Sequence, residues 1–294
     1  MRLIVLGSGA GGGVPQWNCA CRNCRRARAG DPAVPRRTQA ALAASGDGVR
    51  WLLLEAAPEI LQQIAATPAL HPADAPRHSP IAGVLPSSAE IDHVAGLLSL
   101  RERQGFALFG TPSVLAMLEA NPMFGALDPG LVPRVALPPG GAAEIAGLRV
   151  RVVGLPGKKP LYAEQHAAAA DDVVGVELEQ AGARACWLPG CAAVTPAVRD
   201  WLEGADAVFL DGTVWTDDEL ERAGVGTRSG RRMGHLPLSG PDGLLAGLEG
   251  LRARRRILVH LNNTNPLAAA DSPERAEATA RGWEVAHDGM EVKP

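Results

Sequence analysis

Nine short apolar runs rich in valine, leucine and isoleucine recur along the chain and constrain its fold more than any other feature. Runs of this length and composition are typical of strands buried within a sheet. Between several of them lie patterns of helical spacing, some of which open with a Ser, Thr or Gly before a proline. The predicted strands are 3–6, 51–54, 81–85, 148–153, 173–178, 185–188, 207–210, 257–261 and 283–285. One predicted helix begins at residue 58, and the others span 91–103, 113–119, 195–202, 241–248 and 272–281. The chain is therefore predicted to belong to the α/β class.

Two segments, 67–80 and 120–147, are rich in proline and glycine and are predicted to be long loops. No shift in composition marks a domain boundary, and no repeat period stands out. We therefore expect a single α/β domain over residues 1–294, with insertions.

The composition argues against several functional classes. Aromatic residues make up only 4% of the 294 residues and the net charge is −3, so neither a stacking platform nor a basic footprint for nucleic acid is expected. Hydrophobic residues reach 46%, which excludes a globally disordered chain. The four apolar residues at 3–6 are too few for a signal peptide, and no stretch approaches the roughly 18 apolar residues that a membrane helix needs. We expect a cytoplasmic protein with no nucleic-acid or membrane partner.

A glycine-rich turn follows the first predicted strand. Residues 7–12 match the G-x-G-x-x-G pattern of dinucleotide-binding proteins. That pattern requires a helix that opens at the third glycine, because the pyrophosphate binds at the helix N-terminus. Here Gly13, Val14 and Pro15 follow instead. The sequence therefore favours a turn between a strand and a loop over a nucleotide site.

Three of the five cysteines, Cys19, Cys21 and Cys24, lie within six residues. Three thiolates so close together suit one soft, tetrahedral ion, and Zn²⁺ is often held by three cysteines and one further ligand. Buried apolar packing and a redox thiol pair are the alternatives. We predict a structural zinc knuckle at 19–24 in a protein of a reducing compartment. Its fourth ligand is not local, and His235 and Asn263 are the candidates.

Further polar residues stand where predicted strands end. Asp92 and His93 follow the run 81–85 and lead into a helix, Asp211 follows the run 207–210, and His260 lies in the run 257–261. His235 follows a glycine between predicted elements. Enzymes of the α/β class place their chemistry at the carboxyl ends of strands. Each residue alone is more often structural, but their number favours a metal or catalytic site.

Together, these and neighbouring segments resemble the PqqB family of pyrroloquinoline quinone (PQQ) biosynthesis proteins, within the metallo-β-lactamase-fold superfamily. The segments that carry the resemblance are 6–8, 13–21, 89–93, 189–193, 211–218, 231–235, 260–266 and 282–285. The likeness extends from residue 1 to about 292. It implies a metallo-β-lactamase-like αββα sandwich with insertions. The motif at 19–24 is similar to that of a cyclic phosphodiesterase of the same superfamily, in which it holds a structural zinc.

The dinuclear hydrolases of that superfamily carry His-x-His-x-Asp-His after a strand. In this chain Ser88 and Glu90 stand at the first two histidine positions, whereas Asp92 and His93 match the motif and His260 matches a later histidine. The resemblance therefore implies one degraded metal position and one retained position. Two histidines and one carboxylate with open coordination sites suit a non-haem Fe(II) oxygenase better than a hydrolase that needs two metals.

The resemblance also implies a part in making PQQ from a precursor peptide that carries Glu and Tyr. The first hypothesis is an oxygenase that hydroxylates the tyrosine of the Glu-Tyr unit, with iron(II) or another divalent metal on Asp92, His93 and His260. The second is a carrier that takes part in transport of PQQ or its precursor to the periplasm. The third is a residual metal-dependent hydrolase.

The remaining candidate residues would support the metal ligands. His235, Asp211 and Glu90 are expected to orient groups in the site or to transfer protons. Glu90 is acidic where the family resemblance leads us to expect a neutral amide, which leaves room for an additional ligand. The expected partners are the precursor-derived Glu-Tyr peptide or a PQQ intermediate and other proteins of the PQQ pathway, and a homodimer stays open.

Overall fold

In the part of the chain that the structure describes, two mixed β-sheets of seven strands each pack face to face, with helices on both outer faces. The structure is a computed structural model, and it describes residues 1–73, 75–165 and 167–294. The αββα sandwich that the family resemblance implies is confirmed.

The first sheet is built from the N-terminal half of the chain and closed by its last strand. Its strand order is β14-β1-β2-β3-β4-β5-β6. The strands from β3 to β6 run parallel to one another, and the other pairs are antiparallel. The strands are β1 (Arg2–Gly7), β2 (Ala41–Ser45), β3 (Trp51–Leu54), β4 (Ile81–Leu85), β5 (Ala107–Gly110), β6 (Arg134–Ala136) and β14 (Glu291–Val292).

The second sheet follows in sequence. Its strand order is β13-β12-β11-β10-β9-β8-β7, antiparallel from β7 to β10 and parallel from β10 to β13. The strands are β7 (Ala142–Ile145), β8 (Leu148–Gly154), β9 (Val174–Gln180), β10 (Ala183–Leu188), β11 (Ala207–Asp211), β12 (Arg255–Val259) and β13 (Glu284–Val285).

The helices are short. The α-helices are α1 (Arg22–Arg28), α2 (Ile60–Ala66), α3 (Ile91–Val94), α4 (Pro112–Glu119), α5 (Pro196–Leu202), α6 (Glu219–Arg222), α7 (Gly230–Met233), α8 (Leu244–Gly247) and α9 (Pro273–Ala280). Turns of 3₁₀-helix span Pro68–Leu70, Ala95–Leu100, Pro122–Ala126, Leu161–Ala163 and Pro266–Ala268. Within the described ranges, no helix has the length and apolar character needed to cross a bilayer.

The main core lies between the two sheets, where Leu54, Trp187, Phe209 and Ile257 are fully buried. Burying a large apolar side chain contributes roughly 1.5–3 kcal/mol each, so this layer supplies much of the driving force for packing the sheets. Two further apolar layers cover the outer faces and are formed with the helices. The sheets are therefore buried on both sides, as their near-continuous apolar runs indicate.

Three helix starts agree with the proline signals in the sequence. Thr111, Thr195 and Ser272 each precede a helix with proline in its first turn, and each side-chain oxygen accepts a hydrogen bond from a backbone N–H of that turn. This arrangement satisfies an N–H group that has no partner within the helix. These caps fix where the helices begin and hence where the preceding strands leave the sheet.

Several local predictions are wrong. Segment 120–147 is not a loop throughout, because it holds one 3₁₀ turn and the strands β6 and β7. The predicted helix 91–103 is a single α-turn followed by 3₁₀-helix, and the predicted helix 241–248 shrinks to α8. A Cβ on Gly96 would lie 2.1 Å from the carbonyl oxygen of Ala57, so this glycine permits backbone contact that replaces a regular helix. Strands β2 and β5 were not predicted.

Candidate metal centre and active-site cavity

The candidate site lies at one edge of the sandwich, where strands of both sheets end. Asp92 and His93 belong to α3, which follows β4 of the first sheet. Asp211 is the last residue of β11, and His260 directly follows β12 of the second sheet. His235 comes from the loop after α7. The structure therefore brings together five of the six candidate residues across the boundary between the sheets, as predicted from the strand ends.

Asp92, His93 and His260 form a group whose potential ligand atoms all lie within 4.8 Å of one another. Asp92 Oδ2 is 3.0 Å from His260 Nε2 and 4.0 Å from His93 Nε2. Two donor atoms at right angles on one ion, each about 2.1 Å away, would be about 3 Å apart. His93 Nε2 is buried and has no hydrogen-bond partner among the described residues. A buried nitrogen without a hydrogen-bond partner destabilises the folded state, and a metal ion bound at this nitrogen would supply the missing partner.

The other ring nitrogen of His93 is held by three acceptors. Nδ1 lies 2.8 Å from Ser88 Oγ, 3.4 Å from Ser87 Oγ and 3.4 Å from a carboxylate oxygen of Glu55. A carboxylate only accepts, so the proton of the imidazole belongs on Nδ1 and the lone pair on Nε2 faces the cavity. Ser88, at a histidine position of the superfamily motif, thus supports a ligand instead of being one.

Glu55 is fully buried at the end of β3 and was not predicted to belong to the site. Its carboxylate accepts hydrogen bonds from the backbone N–H of Ser87 and from the indole of Trp187, each 3.0 Å long. Its backbone has a φ of 69°, which is uncommon for a residue other than glycine. An acidic residue directly after an apolar strand was the sequence feature that could have indicated a role for Glu55, because a carboxylate buried there needs hydrogen-bond partners.

A second network orients His260 and His235. Asp211 accepts bonds from the hydroxyl and backbone N–H of Thr213, from the backbone N–H of Cys191 and from His235 Nδ1, the last at 2.7 Å. Because the hydroxyl of Thr213 donates to Asp211, it accepts from His260 Nδ1, 2.7 Å away. This leaves the lone pair of His260 on Nε2, toward Asp92.

Asp211, His235 and His260 also have potential ligand atoms within 4.8 Å of one another. Both oxygens of Asp211 are already engaged by protein donors, and the residue is 0% exposed. The carboxylate is therefore better suited to fixing the tautomer of His235 than to binding an ion. The rings of His235 and His260 stack with centroids 5.1 Å apart, which places the two side by side.

The site carries an excess of negative charge. Burial opposes ionisation of Asp92, but the neighbouring imidazoles of His93 and His260 outweigh it, so the pKa of Asp92 lies well below its usual range. Burial, with the charge of Asp92, raises the pKa of Glu90. Burial likewise disfavours charge on His93, yet the carboxylates of Glu55 and Asp92 reverse the effect and raise its pKa. Such an acidic, buried cluster favours a divalent cation.

The cluster forms the floor of a cavity of about 240 Å³. Glu90 lines this cavity but its carboxylate is not part of either ligand group, so the geometry does not make it an additional ligand. The cavity also includes side chains to which the sequence assigned no role: Lys158, Leu161, Val173, Arg228 and Met233. They come from segments far apart in the chain, among them a 3₁₀ turn and the end of α7, and their residue types do not mark them as site residues.

The three knuckle cysteines form a second group, with all three sulfurs within 4.8 Å of one another. Cys21 caps α1 and Cys24 lies in its first turn. The side-chain Nδ2 of Asn263 lies 3.1, 3.5 and 3.3 Å from the sulfurs of Cys19, Cys21 and Cys24. A 180° rotation of the amide would place Oδ1 there instead, in the fourth position of a tetrahedral site. The residues fit a zinc ion.

Of the two candidates for that fourth position, only Asn263 lies at the knuckle. His235 lies in the active-site cavity with Nδ1 on Asp211. The glycine-rich turn at 7–12 likewise has no helix at its third glycine, since the next helix begins at Arg22. Gly11 instead lines the cavity beside Asp92, where a Cβ would lie 3.5 Å from Oδ2.

Comparison with known proteins identifies the family and the fold of the chain. Residues 50–261 match the model of the beta-lactamase superfamily domain. The coenzyme PQQ synthesis protein B of Gluconacetobacter diazotrophicus is 50% identical over 305 aligned positions, which cover 99% of this chain and 98% of that protein. The protein of the same name from Methylorubrum populi is 48% identical, with 99% of each chain covered. The chain belongs to the coenzyme PQQ synthesis protein B family.

Solved structures agree with this assignment. The crystal structure of Zn²⁺-bound PqqB from Methylobacterium extorquens superposes on this member of the family with a TM-score of 0.97 at 47% identity, over 100% of both chains. A diphosphatase of the PhnP family superposes with a TM-score of 0.70 at 20% identity, over 99% of this chain and 97% of that one, and so shares the fold alone. The family and the metallo-β-lactamase fold predicted from the sequence are both confirmed. A zinc-bound relative also supports a divalent metal for the PqqB family fold.

Proposed function

We propose that this chain acts in PQQ biosynthesis as a metal-dependent oxygenase that hydroxylates the tyrosine of the precursor's Glu-Tyr unit. The observation that carries the proposal is the group of two histidines and one carboxylate, Asp92, His93 and His260, with the buried Nε2 of His93 unpaired. Fe²⁺ in a site of this composition supplies the redox chemistry with which oxygenases use dioxygen and a reductant. Three protein ligands would leave coordination positions free for that chemistry.

The chain's own residues would prepare the site. Ser88 and Glu55 keep the proton of His93 on Nδ1, and Thr213 does the same for His260, so both ligands present an unprotonated Nε2. His235 is the candidate for proton transfer, because Asp211 accepts from its Nδ1 at 2.7 Å. Burial opposes charge on His235, but Asp211 outweighs burial and raises the pKa of the imidazole, which favours the protonated form that can donate a proton.

A hydrolase of the dinuclear kind fits the site less well. A second metal beside the first would need ligands at the positions of Ser88 and Glu90, or from the group of Asp211, His235 and His260. Ser88 instead contacts His93, and Asp211 is saturated by four protein donors. A pair of ions that clamps the attacking and leaving groups is therefore poorly supported.

We further propose that the Cys-x-Cys-x-x-Cys segment at 19–24 binds a structural zinc within the same single domain, 1–294. The sulfur group is partly buried and Asn263 completes a fourfold set. The surrounding backbone is held by side chains, with Arg28 donating to the carbonyls of Gln16 and Cys19 and Asn23 donating to that of Asn263. No coordination position is left open for a substrate, which favours a structural role.

The test is hydroxylation of Glu-Tyr by protein purified without oxygen and reconstituted with Fe²⁺, on addition of dioxygen and a reductant. We expect a product 16 mass units heavier, and its loss in Asp92→Asn and His260→Ala. His71→Ala, an exposed histidine outside the cavity, is the matched control. Tight binding of PQQ with no hydroxylation, unchanged in the Asp92→Asn protein, would replace the oxygenase by a carrier. Cleavage of a phosphodiester by the zinc-loaded protein would instead favour the hydrolase.

A further inference from the structure

Two cationic side chains that belong to neither group of candidate metal ligands line the active-site cavity. Lys158 and Arg228 both line the cavity whose floor is formed by Asp92, His93 and His260. In the parts of the chain that the structure describes, neither side chain takes part in an ion pair or a side-chain hydrogen bond. Two unpaired cations beside a metal-binding floor are suited to an anionic ligand group.

The neighbouring lysine shows the contrast. Lys159 pairs with Asp172 at 3.4 Å, is only 10% exposed and does not line the cavity. Its charge is thus used within the fold. Lys158 lines the cavity instead, together with Glu90. Of the two consecutive lysines, Lys159 therefore forms an ion pair within the fold, whereas Lys158 lines the cavity.

The aliphatic part of Lys158 is positioned by a glycine. Gly234 ends α7 with a φ of 90°, and a Cβ built there would lie 3.0 Å from Cγ of Lys158 and 3.4 Å from its Cδ and Cε. The lysine therefore runs across the backbone of Gly234, next to His235. Because of this contact, the ammonium group of Lys158 is held at the cavity.

Arg228 lies in the loop between α6 and α7 and is exposed. A guanidinium presents donors in a planar fork that matches the two oxygens of a carboxylate. Lysine contributes a compact charge to the same group. An exposed arginine and a held lysine on one cavity can bind a carboxylate that enters from solvent.

The same cavity also has an apolar side. Leu161, Val173 and Met233 line it, and Leu161 is 49% exposed although it is a large hydrophobic residue. Apolar and sulfur-containing side chains of this kind pack well against an aromatic ring. The cavity thus combines an acidic metal-binding floor, an apolar wall and a pair of cations.

We propose that Lys158 and Arg228 form a carboxylate-binding subsite, so that the ligand is an aromatic amino acid or short peptide held by a free carboxylate. The ring lies against Leu161, Val173 and Met233, and the carboxylate bridges the two cations. This inference rests on the proposed function for the identity of the aromatic substrate. It adds the feature by which the cavity recognises that substrate.

Binding to the zinc-loaded protein, measured by titration calorimetry, tests the subsite without any turnover. The probes are the dipeptide Glu-Tyr, its C-terminal amide, and Gln-Tyr. We expect one of the two neutralised peptides to bind the wild-type protein about tenfold or more weakly than Glu-Tyr, because a charge-assisted hydrogen bond is lost. The double variant Lys158→Met and Arg228→Met should bind Glu-Tyr more weakly by a similar factor. It should also abolish the difference in affinity between the peptides.

Two control variants separate this effect from folding and from general charge. Arg222→Met removes an exposed arginine outside the cavity, and Lys158→Arg keeps the charge at the subsite. Both should retain the preference for the charged peptide. Equal binding of all three peptides to the wild-type protein, or a preference that persists in the double variant, would overturn the subsite. Failure of hydroxylation with this preference intact would overturn the oxygenase and leave the subsite standing.

Discussion

His260 and Asn263 are only three residues apart, yet they reach into two different candidate metal sites. His260 Nε2 faces Asp92 at 3.0 Å, whereas the amide of Asn263 lies 3.1 to 3.5 Å from the three knuckle sulfurs. The segment after β12 therefore links the proposed zinc knuckle to the proposed catalytic centre. A rigid knuckle would fix the start of this segment and with it the ring of His260.

Replacing His93 by alanine should remove the active-site ion and leave the knuckle ion in place. The variant deletes a proposed ligand whose Nε2 has no hydrogen-bond partner within the described residues, and His93 is not part of the sulfur group. Elemental analysis of protein purified without oxygen should give one divalent ion fewer than the wild type. His71→Ala should match the wild type. Loss of both ions from His93→Ala would show that the two sites are not independent.

Replacing Cys21 by serine should remove the knuckle zinc, because a hydroxyl is a poor ligand for this ion. Zinc binding at such a site contributes directly to folding, so we expect a loss of about 3 kcal/mol and a fall in Tm of about 6–12 °C. Thermal unfolding followed by circular dichroism, with zinc analysis of the same sample, measures both. Cys186→Ala, a buried cysteine of β10 outside the sulfur group, should keep its zinc. Full zinc content in Cys21→Ser would contradict the assignment.

Replacing Thr213 by valine should weaken metal binding without deleting a ligand. The hydroxyl joins Asp211 to His260, and without it Nδ1 of His260 loses its acceptor. Loss of such a partner typically lowers metal affinity about 10–100-fold. Competition with a chelator measures the affinity, and Thr227→Val, at an exposed threonine, is the control. Unchanged affinity in Thr213→Val would mean that the ring of His260 is oriented by other contacts.

The buried carboxyl of Glu219 is expected to make the free energy of unfolding depend on pH. Its carboxyl is buried between the backbone N–H of Trp215 and the hydroxyl of Thr264, and burial raises its pKa to about 7. The folded state then holds the proton more tightly than the unfolded state, so the stabilisation is complete below about pH 4.3 and is lost as the pH rises through about 7. The expected loss is about 3–4 kcal/mol, because a difference of one in pKa corresponds to about 1.4 kcal/mol.

Urea unfolding of Glu219→Gln at pH 5 and pH 7.5 checks this expectation. The variant carries no ionisable group there, so its stability should fall less than that of the wild type over this range. Glu221→Gln, an exposed glutamate of the same helix, should behave as the wild type does. An identical pH dependence in Glu219→Gln would show that other groups determine it.

The sequence predicted most of the strands that contain a run of large apolar residues, and it missed strands in which that run is short or absent. Strand β2 is mostly alanine, and β6 is exposed along its length, so neither forms a run of large apolar residues. Strand β7 is also largely open to solvent. Their strand conformation follows from pairing with neighbours in the sheet, which no local pattern records.

The site was predictable to the extent that its residues follow strands. Asp92, His93 and His260 share that position, and the structure brings them together as expected. Lys158 and Arg228 come from irregular segments, so their approach to the cavity depends on how the loops fold. Their types alone did not distinguish them from surface charges, because lysine and arginine are mostly exposed.

The division of the ligands between the sheets has a consequence for assembly. Asp92 and His93 follow β4 of the first sheet, whereas His260 follows β12 of the second. During synthesis the first two side chains are complete about 170 residues before the third, and neither sheet alone holds the set. Capture of the ion therefore waits until the two halves have docked. An ion bound at the proposed centre would show that docking has taken place, and it would link the two halves at the edge that holds the cavity.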